Sequence, residues 1–471
     1  MRALPLLIAL SLGACSAVGP DYVRPPNELP AQWKSGDGWL PAAPADAEPK
    51  TEWWRTFGDD ELNRLEAEAL ARSPTLQAAL ARLDQAEAQS RVHGAAALPA
   101  VSLGAAAARS RVSADRPLSS YGSVNSSAVQ NDLKPTLSVS YEIDWLGRVR
   151  RDIESARAGA EQAAADRANV ELLLTAQLAS AYLQLRQEDE EIRLLDGTIA
   201  AQQRVLELTR IRHQAGLAAA GDEALQAAAV SASRAQRELL LNQRRVGEDL
   251  LATLSGAPAP AFRLAPGALP AAMPAAPAGA PSQLLQRRPD IASAERAMAA
   301  ANAQIGVAKA AYFPQLTLTP TYAGSESASL AGLFSTPALI WSIGLQASQT
   351  LFDNGKTRAN VGYAEAGYRA ALANYRQTVL QAVQEAQDAL GALRGLDEAR
   401  RQQDIAVRNQ DQAYAITQLR YREGLDSALT LAIAQQSQLA ARRTLAQLRG
   451  SQLIANVSLL KALGGGWQSG D

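Results

Sequence analysis

The sequence predicts a membrane protein of the α + β class, with four transmembrane β-strands, long coiled-coil helices and an internal duplication, on three observations. Four stretches, residues 98–109, 135–145, 313–324 and 338–352, have a period of two. In the second, Leu137, Val139, Tyr141, Ile143 and Trp145 alternate with Ser138, Ser140, Glu142 and Asp144, the mark of a strand whose two faces meet different solvents. From Arg148 to Gln214 the chain has no proline, and at ~1.5 Å per residue that run is a helix of roughly 100 Å. Finally, Pro74 and Pro289 are 215 residues apart, as are Pro99 and Pro314; Gly147 and Gly355 are 208 apart, as are Gly216 and Gly424. Offsets held over such spans are a duplication, and the drop between them falls in a loop between strands, where insertions are tolerated.

The strands set the first constraint. The fourth repeats the pattern of the second, with Leu339, Trp341, Ile343, Leu345 and Ala347 against Ser342, Gly344, Gln346 and Ser348; the first and third carry it in Val101 and Leu103, and in Leu316 and Leu318. Each has about the ~9–11 residues of a tilted spanning strand. The smallest outer-membrane barrels need about 8 strands, and an open edge in lipid leaves backbone groups unpaired at several kcal/mol each. Four strands must therefore be pooled between chains. The 471 residues hold only 5% aromatics, and alanine fills the space, as between closely approaching helices. A net charge of −1 and a pI near 6.3 give no support to nucleic-acid binding.

In chain order, Arg2, the apolar run Ala3 to Leu10 and Leu12-Gly13-Ala14 read as a secretory signal over residues 1–14. The single cysteine, Cys15, stands where a bacterial lipobox places its lipid-bearing Cys; an ordinary signal with an accidental Cys is the alternative. Residues 15–52 are rich in Pro, Ala and Gly, with Tyr22, Trp33 and Trp39 along them, and read as an extended arm lying on something else. The first repeat, 53–256, opens at Trp53-Trp54 and Phe57, with Asp59-Asp60-Glu61 suited to a helix start and Leu62, Leu65, Ala69, Leu76, Leu80 and Leu83 at helical spacing up to Pro99. Residues 110–134 read as an exposed loop. After the long helix, Ala215-Gly216-Leu217 reverses the chain, and a second helix runs from about Asp222 to Leu254. Residues 257–281 are a linker, 282–465 the second repeat and 466–471 a tail.

Chemistry is thin. His93 and His213 are the only histidines, and neither a nucleophile, base and orienter set, a phosphate loop, nor a Cys or His cluster is present. The sequence predicts no catalytic residue, cofactor or metal.

The resemblance is carried by Cys15 with Gly19-Pro20-Asp21-Tyr22, Trp53-Trp54 through Phe57-Gly58-Asp59, Arg288-Pro289-Asp290-Ile291, Ala311-Tyr312-Phe313-Pro314, Leu351-Phe352-Asp353-Asn354-Gly355, Arg420-Tyr421-Arg422-Glu423-Gly424-Leu425 and Ala462-Leu463-Gly464-Gly465. In these the chain resembles the outer membrane factor efflux lipoproteins of the NodT type, close to OprM and more distantly to TolC. The resemblance implies a TolC-like homotrimer, with a 12-stranded β-barrel in the outer membrane continued by a 12-helix periplasmic α-barrel. It also implies a lipid at Cys15 and a role as exit duct of a tripartite efflux pump, docked to a periplasmic adaptor and an inner-membrane transporter, usually of the resistance-nodulation-division (RND) class. Other export systems of the type I secretion kind, an adaptor lipoprotein and a purely structural coiled-coil lipoprotein are the competing readings.

The same resemblance assigns the site. The reversals at Gly216-Leu217 and Gly424-Leu425 become tip turns and adaptor docking points. The family's constriction has a Leu and, four positions on, an Asp facing the axis; here these are Leu429 and Ile433, so the ring would close by apolar contact instead of a carboxylate cluster. Asp426 reads first as the N-cap of the helix that follows, with an acidic ring at the mouth as the alternative. Arg210, Arg212, Asp222 and Glu223 at one turn, and Arg420, Arg422, Glu423 and Asp426 at the other, are either links that hold a closed state or solvated helix ends. Trp145 and Trp341 are expected on the apolar strand faces.

Overall fold

The computed structural model describes residues 17–26, 52–114, 128–271, 288–318 and 321–465. The signal, Cys15, Trp33, Trp39, the linker from residue 272 on and the tail lie outside the described residues. In order the elements are a 3-10 turn at Trp53–Phe57, α1 (Asp60–Arg72), α2 (Pro74–Ala95), β1 (Ala100–Val112), β2 (Ala128–Ser140), β3 (Glu142–Ile143), α3 (Arg148–Gln214) and α4 (Ala220–Leu254). Then follow α5 (Pro289–Ala310), β4 (Gln315–Leu318), β5 (Thr321–Ser325), β6 (Leu339–Ser342), β7 (Leu345–Ser348), α6 (Lys356–Arg422) and α7 (Ala428–Ala462). The duplication shows in the bounds: α3 and α6 have 67 residues each, α4 and α7 have 35, and α2 and α5 have 22. No described helix is long and apolar enough to cross a membrane.

The expected helical run from Asp60 to Pro99 is two helices. Pro74 disfavours helical geometry at Ser73 and then serves as the first residue of α2, where its missing N–H costs nothing.

The chain divides into two compact units. In the first, residues 1–25, 83–163 and 294–375, the strands are antiparallel in the orders β1-β2-β5-β6 and β3-β4-β7. The second ribbon starts at Ala128, earlier than expected, because β1 pairs along its whole length from Ala100 opposite Ser140 to Val112 opposite Ala128. Of the loop expected at 110–134, residues 110–112 and 128–134 are strand, and 115–127 lie outside the described residues. Leu103 faces Leu137, and both are exposed with Val101, Leu339, Trp341 and Leu345; on the other face the Ser102 and Ser138 hydroxyls meet at 2.8 Å. β1 and β6 are the edges of their sheet among the described strands. Trp145 lies past β3 rather than on a strand face, because its indole N–H turns to donate to the Pro314 carbonyl at 3.1 Å. Asp144 caps α3 by accepting from the Val149 and Arg150 N–H groups at 3.0 and 2.9 Å, and Asp353 does the same for α6 through Thr357 N–H at 2.8 Å.

The second unit, residues 26–82, 164–293 and 376–471, holds the main core. Trp53 and Trp54, edge to face at 5.8 Å, pack with Phe57, Leu62, Leu65, Leu178, Leu185, Leu251 and Val457. Asp59 caps α1 and accepts the Tyr182 hydroxyl at 2.8 Å. A buried ionic set fixes the start of the linker: Arg186 and Arg244 donate to the Ala265 and Leu264 carbonyls at 2.7 and 2.6 Å, while Asp189 accepts the Gly267 N–H at 3.0 Å. Farther along α3 and α4, Leu195 and Leu240 meet Leu439 of α7.

Candidate functional site

Both long helices stop in the same way. The Leu217 N–H donates to Arg212 O at 2.8 Å and Gly216 N–H to His213 O at 2.9 Å; Leu425 and Gly424 repeat this on Arg420 O and Tyr421 O at 2.8 and 3.1 Å. This paired stop requires a left-handed residue, and Gly216 and Gly424 supply it at φ +73° and +76°. The space a Cβ would enter is open at both, and the leucines that follow, Leu217 and Leu425, are 78% and 67% exposed.

The two turns are tied to each other through Arg212. Its guanidinium donates to Tyr421 O at 3.2 Å and Arg422 O at 2.9 Å, so a cation sits on the C-terminal carbonyls of α6, where the helix dipole favours it. The same guanidinium lies 5.2 Å from the centre of the Tyr421 ring, whose hydroxyl meets that of buried Thr209 at 2.8 Å. Beneath, Val205, Tyr421, Ala428 and Leu431 form a small apolar cluster, and buried Gln226 of α4 donates to Ala428 O at 3.1 Å. An Arg212→Ala chain leaves these carbonyls without their charged donor, a loss of about 1.5–3 kcal/mol. The expected result is more frequent spontaneous opening in planar-bilayer recordings.

Ala428, Leu431, Gln435 and Leu439 turn one face of α7 inward, and on the other face Leu429 and Ile433 are 53% and 58% exposed. Asp426 is not the cap of this helix. Ser427 takes that place, its hydroxyl accepting Thr430 N–H at 3.1 Å, and Asp426 instead forms a two-bond ion pair with Arg420 at 2.9 and 3.1 Å. That pair holds the Arg420 guanidinium above its ordinary pKa. At the first turn Arg210 pairs with Glu223 at 3.0 Å. Asp222 accepts the Ala219 N–H at 3.4 Å, a weak substitute for the missing side-chain cap at Ala219. Arg422 enters the cluster through its carbonyl, and Glu423 is exposed.

Thr209, Gln226 and Ser427 are not singled out by the sequence, and Tyr421 enters there only as part of the Arg420–Leu425 motif. Tyr421 carried a signal, since 208 residues earlier the duplicated frame has His213, which bonds Ala218 O at 2.9 Å within its own turn. Among the described residues no group of three His, Cys, Asp or Glu side chains is placed to hold a metal ion.

The chain matches the outer membrane efflux protein family over residues 65–257 and 280–465. It belongs to that family. Relatives of this efflux protein include the pyoverdine export outer membrane protein OpmQ of Pseudomonas aeruginosa, 34% identical over 100% of this chain and 98% of that one. Another is the probable efflux pump outer membrane protein TtgC of Pseudomonas putida, 36% identical over 98% and 94%. Among solved structures, the outer-membrane channel OprN superposes with a TM-score of 0.87 at 31% identity, covering 96% of this efflux protein and 99% of that chain. The open state of the Neisseria gonorrhoeae channel MtrE superposes at 0.79 with 26% identity, covering 96% and 98%. The fold expected from sequence, long helices with spanning strands in the manner of these channels, is the fold found, and the function it serves is efflux across the outer membrane.

Proposed function

We propose that three copies of this efflux protein form the outer-membrane exit duct of a tripartite pump, probing the periplasm with the turns at Gly216 and Gly424. The carrying observation is the conjunction of edges at β1 and β6, unpaired among the described strands, with Leu217 and Leu425 exposed at the turns and Leu429 and Ile433 exposed on α7. Edges in lipid need partners, and three copies lend one another theirs. Leu429 and Ile433 form the closed ring by apolar contact and dewetting. The Arg420–Asp426 and Arg210–Glu223 pairs are too exposed to be strong singly, at about 0–1 kcal/mol each, and act as a latch only in three copies. Leu217 and Leu425 receive the adaptor's hairpins, Cys15 carries a lipid, and an RND transporter supplies the energy. The two repeats, 53–256 and 282–465, each contribute one hairpin. Its cargo is of the kind its relatives' names record, pyoverdine, antibiotics or toluene. Deleting the gene and exposing cells to a panel of dyes, solvents, antibiotics and iron limitation tests this. Sensitisation that recurs when one pump operon is deleted is the expected result, and an unchanged profile on every agent contradicts it.

A further inference from the structure

Residues 17–24 have no helix or strand of their own, yet they are held at almost every step. The Val18 N–H donates to Leu146 O at 2.8 Å, at the junction of β3 and α3. Arg151 of α3, itself buried, donates to Val18 O at 3.3 Å and to Asp21 at 2.6 Å. From α5, Asn302 donates to Pro20 O at 2.9 Å, and Glu295 accepts the Tyr22 hydroxyl at 3.3 Å and pairs with Arg24 at 3.1 Å. The segment thus grips one helix from each repeat. Among the described residues the direct polar links between those helices are Ser155 with Ala300 O and Gln304, Ser293 with Asp166 at 2.6 Å, and the exposed Arg296–Glu161 pair.

The seat is shaped by absent side chains. Gly19 has φ +102°, and a Cβ on it would stand 2.5 Å from the Gly306 Cα; a Cβ on Gly306 would stand 2.6 Å from Val18 O. Each glycine admits the other's backbone. Because Pro20 and Asn302 are 282 residues apart, the seat exists only after α3 and α5 are both in place, and it fills after the slow closure of a long chain loop.

We infer that the α3–α5 seam is a peptide-binding seat whose occupant is the chain's own residues 17–24, and that its occupancy is required before copies assemble. This rests on the trimer reading. The occupied seat fixes the angle at which the strand ribbons leave the helices, and an empty seat leaves the edges β1 and β6 misaligned for a neighbour.

The test compares boiling-sensitive oligomer in outer-membrane fractions of wild type, Gly19→Ala, Gly306→Ala, a chain lacking residues 17–24, and Gly159→Ala. Gly159 lies on α3 with open space beside it. The first three variants are expected to lose roughly tenfold or more of the oligomer, and Gly159→Ala none. Gly306→Ala combined with the deletion is expected to cost nothing further, since both empty the same seat. A synthetic peptide of residues 16–26, added to the purified deletion protein in detergent, is expected to restore the oligomer, and the same peptide with Gly19→Val is not. Wild-type oligomer from the deleted chain, an additional loss in the combined variant, or failure of the peptide to restore assembly overturns the inference. A wild type that forms no oligomer at all contradicts the trimer reading instead.

Discussion

Cells carrying Leu429→Ser together with Ile433→Ser are expected to admit vancomycin, a compound too large for ordinary porins, with no adaptor or transporter engaged. Both side chains stand bare on α7 while Ala428, Leu431 and Gln435 beside them are buried, so the substitutions leave the packed face of the helix untouched. Burying a Leu or Ile is worth about 1.5–3 kcal/mol, and a ring built from three copies loses six such side chains, on the order of 10 kcal/mol from the closed state. Even a fraction of that moves a closed population by orders of magnitude, at about 1.4 kcal/mol per tenfold. Vancomycin susceptibility equal to that of wild type, in cells with normal amounts of the protein, refutes the assignment of these two residues to the gate.

The second large effect is expected at Glu66. Its side chain is completely buried on the core face of α1, neither carboxylate oxygen has a hydrogen-bond partner among the described residues, and burial pushes its pKa up to about 9. The unfolded chain gives up this proton near 4.5, whereas the folded chain keeps it, so folding binds a proton between these values. Below about pH 4.5 both states are protonated and the group has no pH-linked effect. As pH rises toward 9 the folded state loses about 1.36 kcal/mol per unit relative to the unfolded one, roughly 3 kcal/mol by neutral pH. Glu66→Gln is expected to remove that slope, and Glu66→Leu to remove it and also the unpaired oxygens. Measuring the temperature of unfolding from pH 5 to 9 checks this; a wild-type slope no steeper than that of Glu66→Gln places the Glu66 proton elsewhere.

How far these features were legible in the sequence follows from the range of the interactions that make them. The long helices were readable almost to the residue, because a proline-free run between Gly147 and Gly216 is a local property and glycine stops are read from one turn. Strand existence was legible from alternation, but the start of β2 at Ala128 was not: it is set by pairing with β1 across a loop, and the polar residues from Gln130 to Asp132 look like loop. At the reversals, the glycines and exposed leucines were found. The Asp426 cap failed because Ser427, one residue on, has the shorter hydroxyl reach to Thr430 N–H and leaves Asp426 to Arg420. Thr209 and Gln226 act through partners some 200 residues away in sequence, which no local pattern announces. The seat for residues 17–24 was hidden for the same reason.

The claim on which all of this depends is that one chain cannot complete the barrel and three do. Native mass spectrometry of the protein extracted from outer membranes in mild detergent measures it directly. A single species of three chains that boiling converts to one is expected; a stable single chain that retains its strand content would rule out a barrel shared between copies.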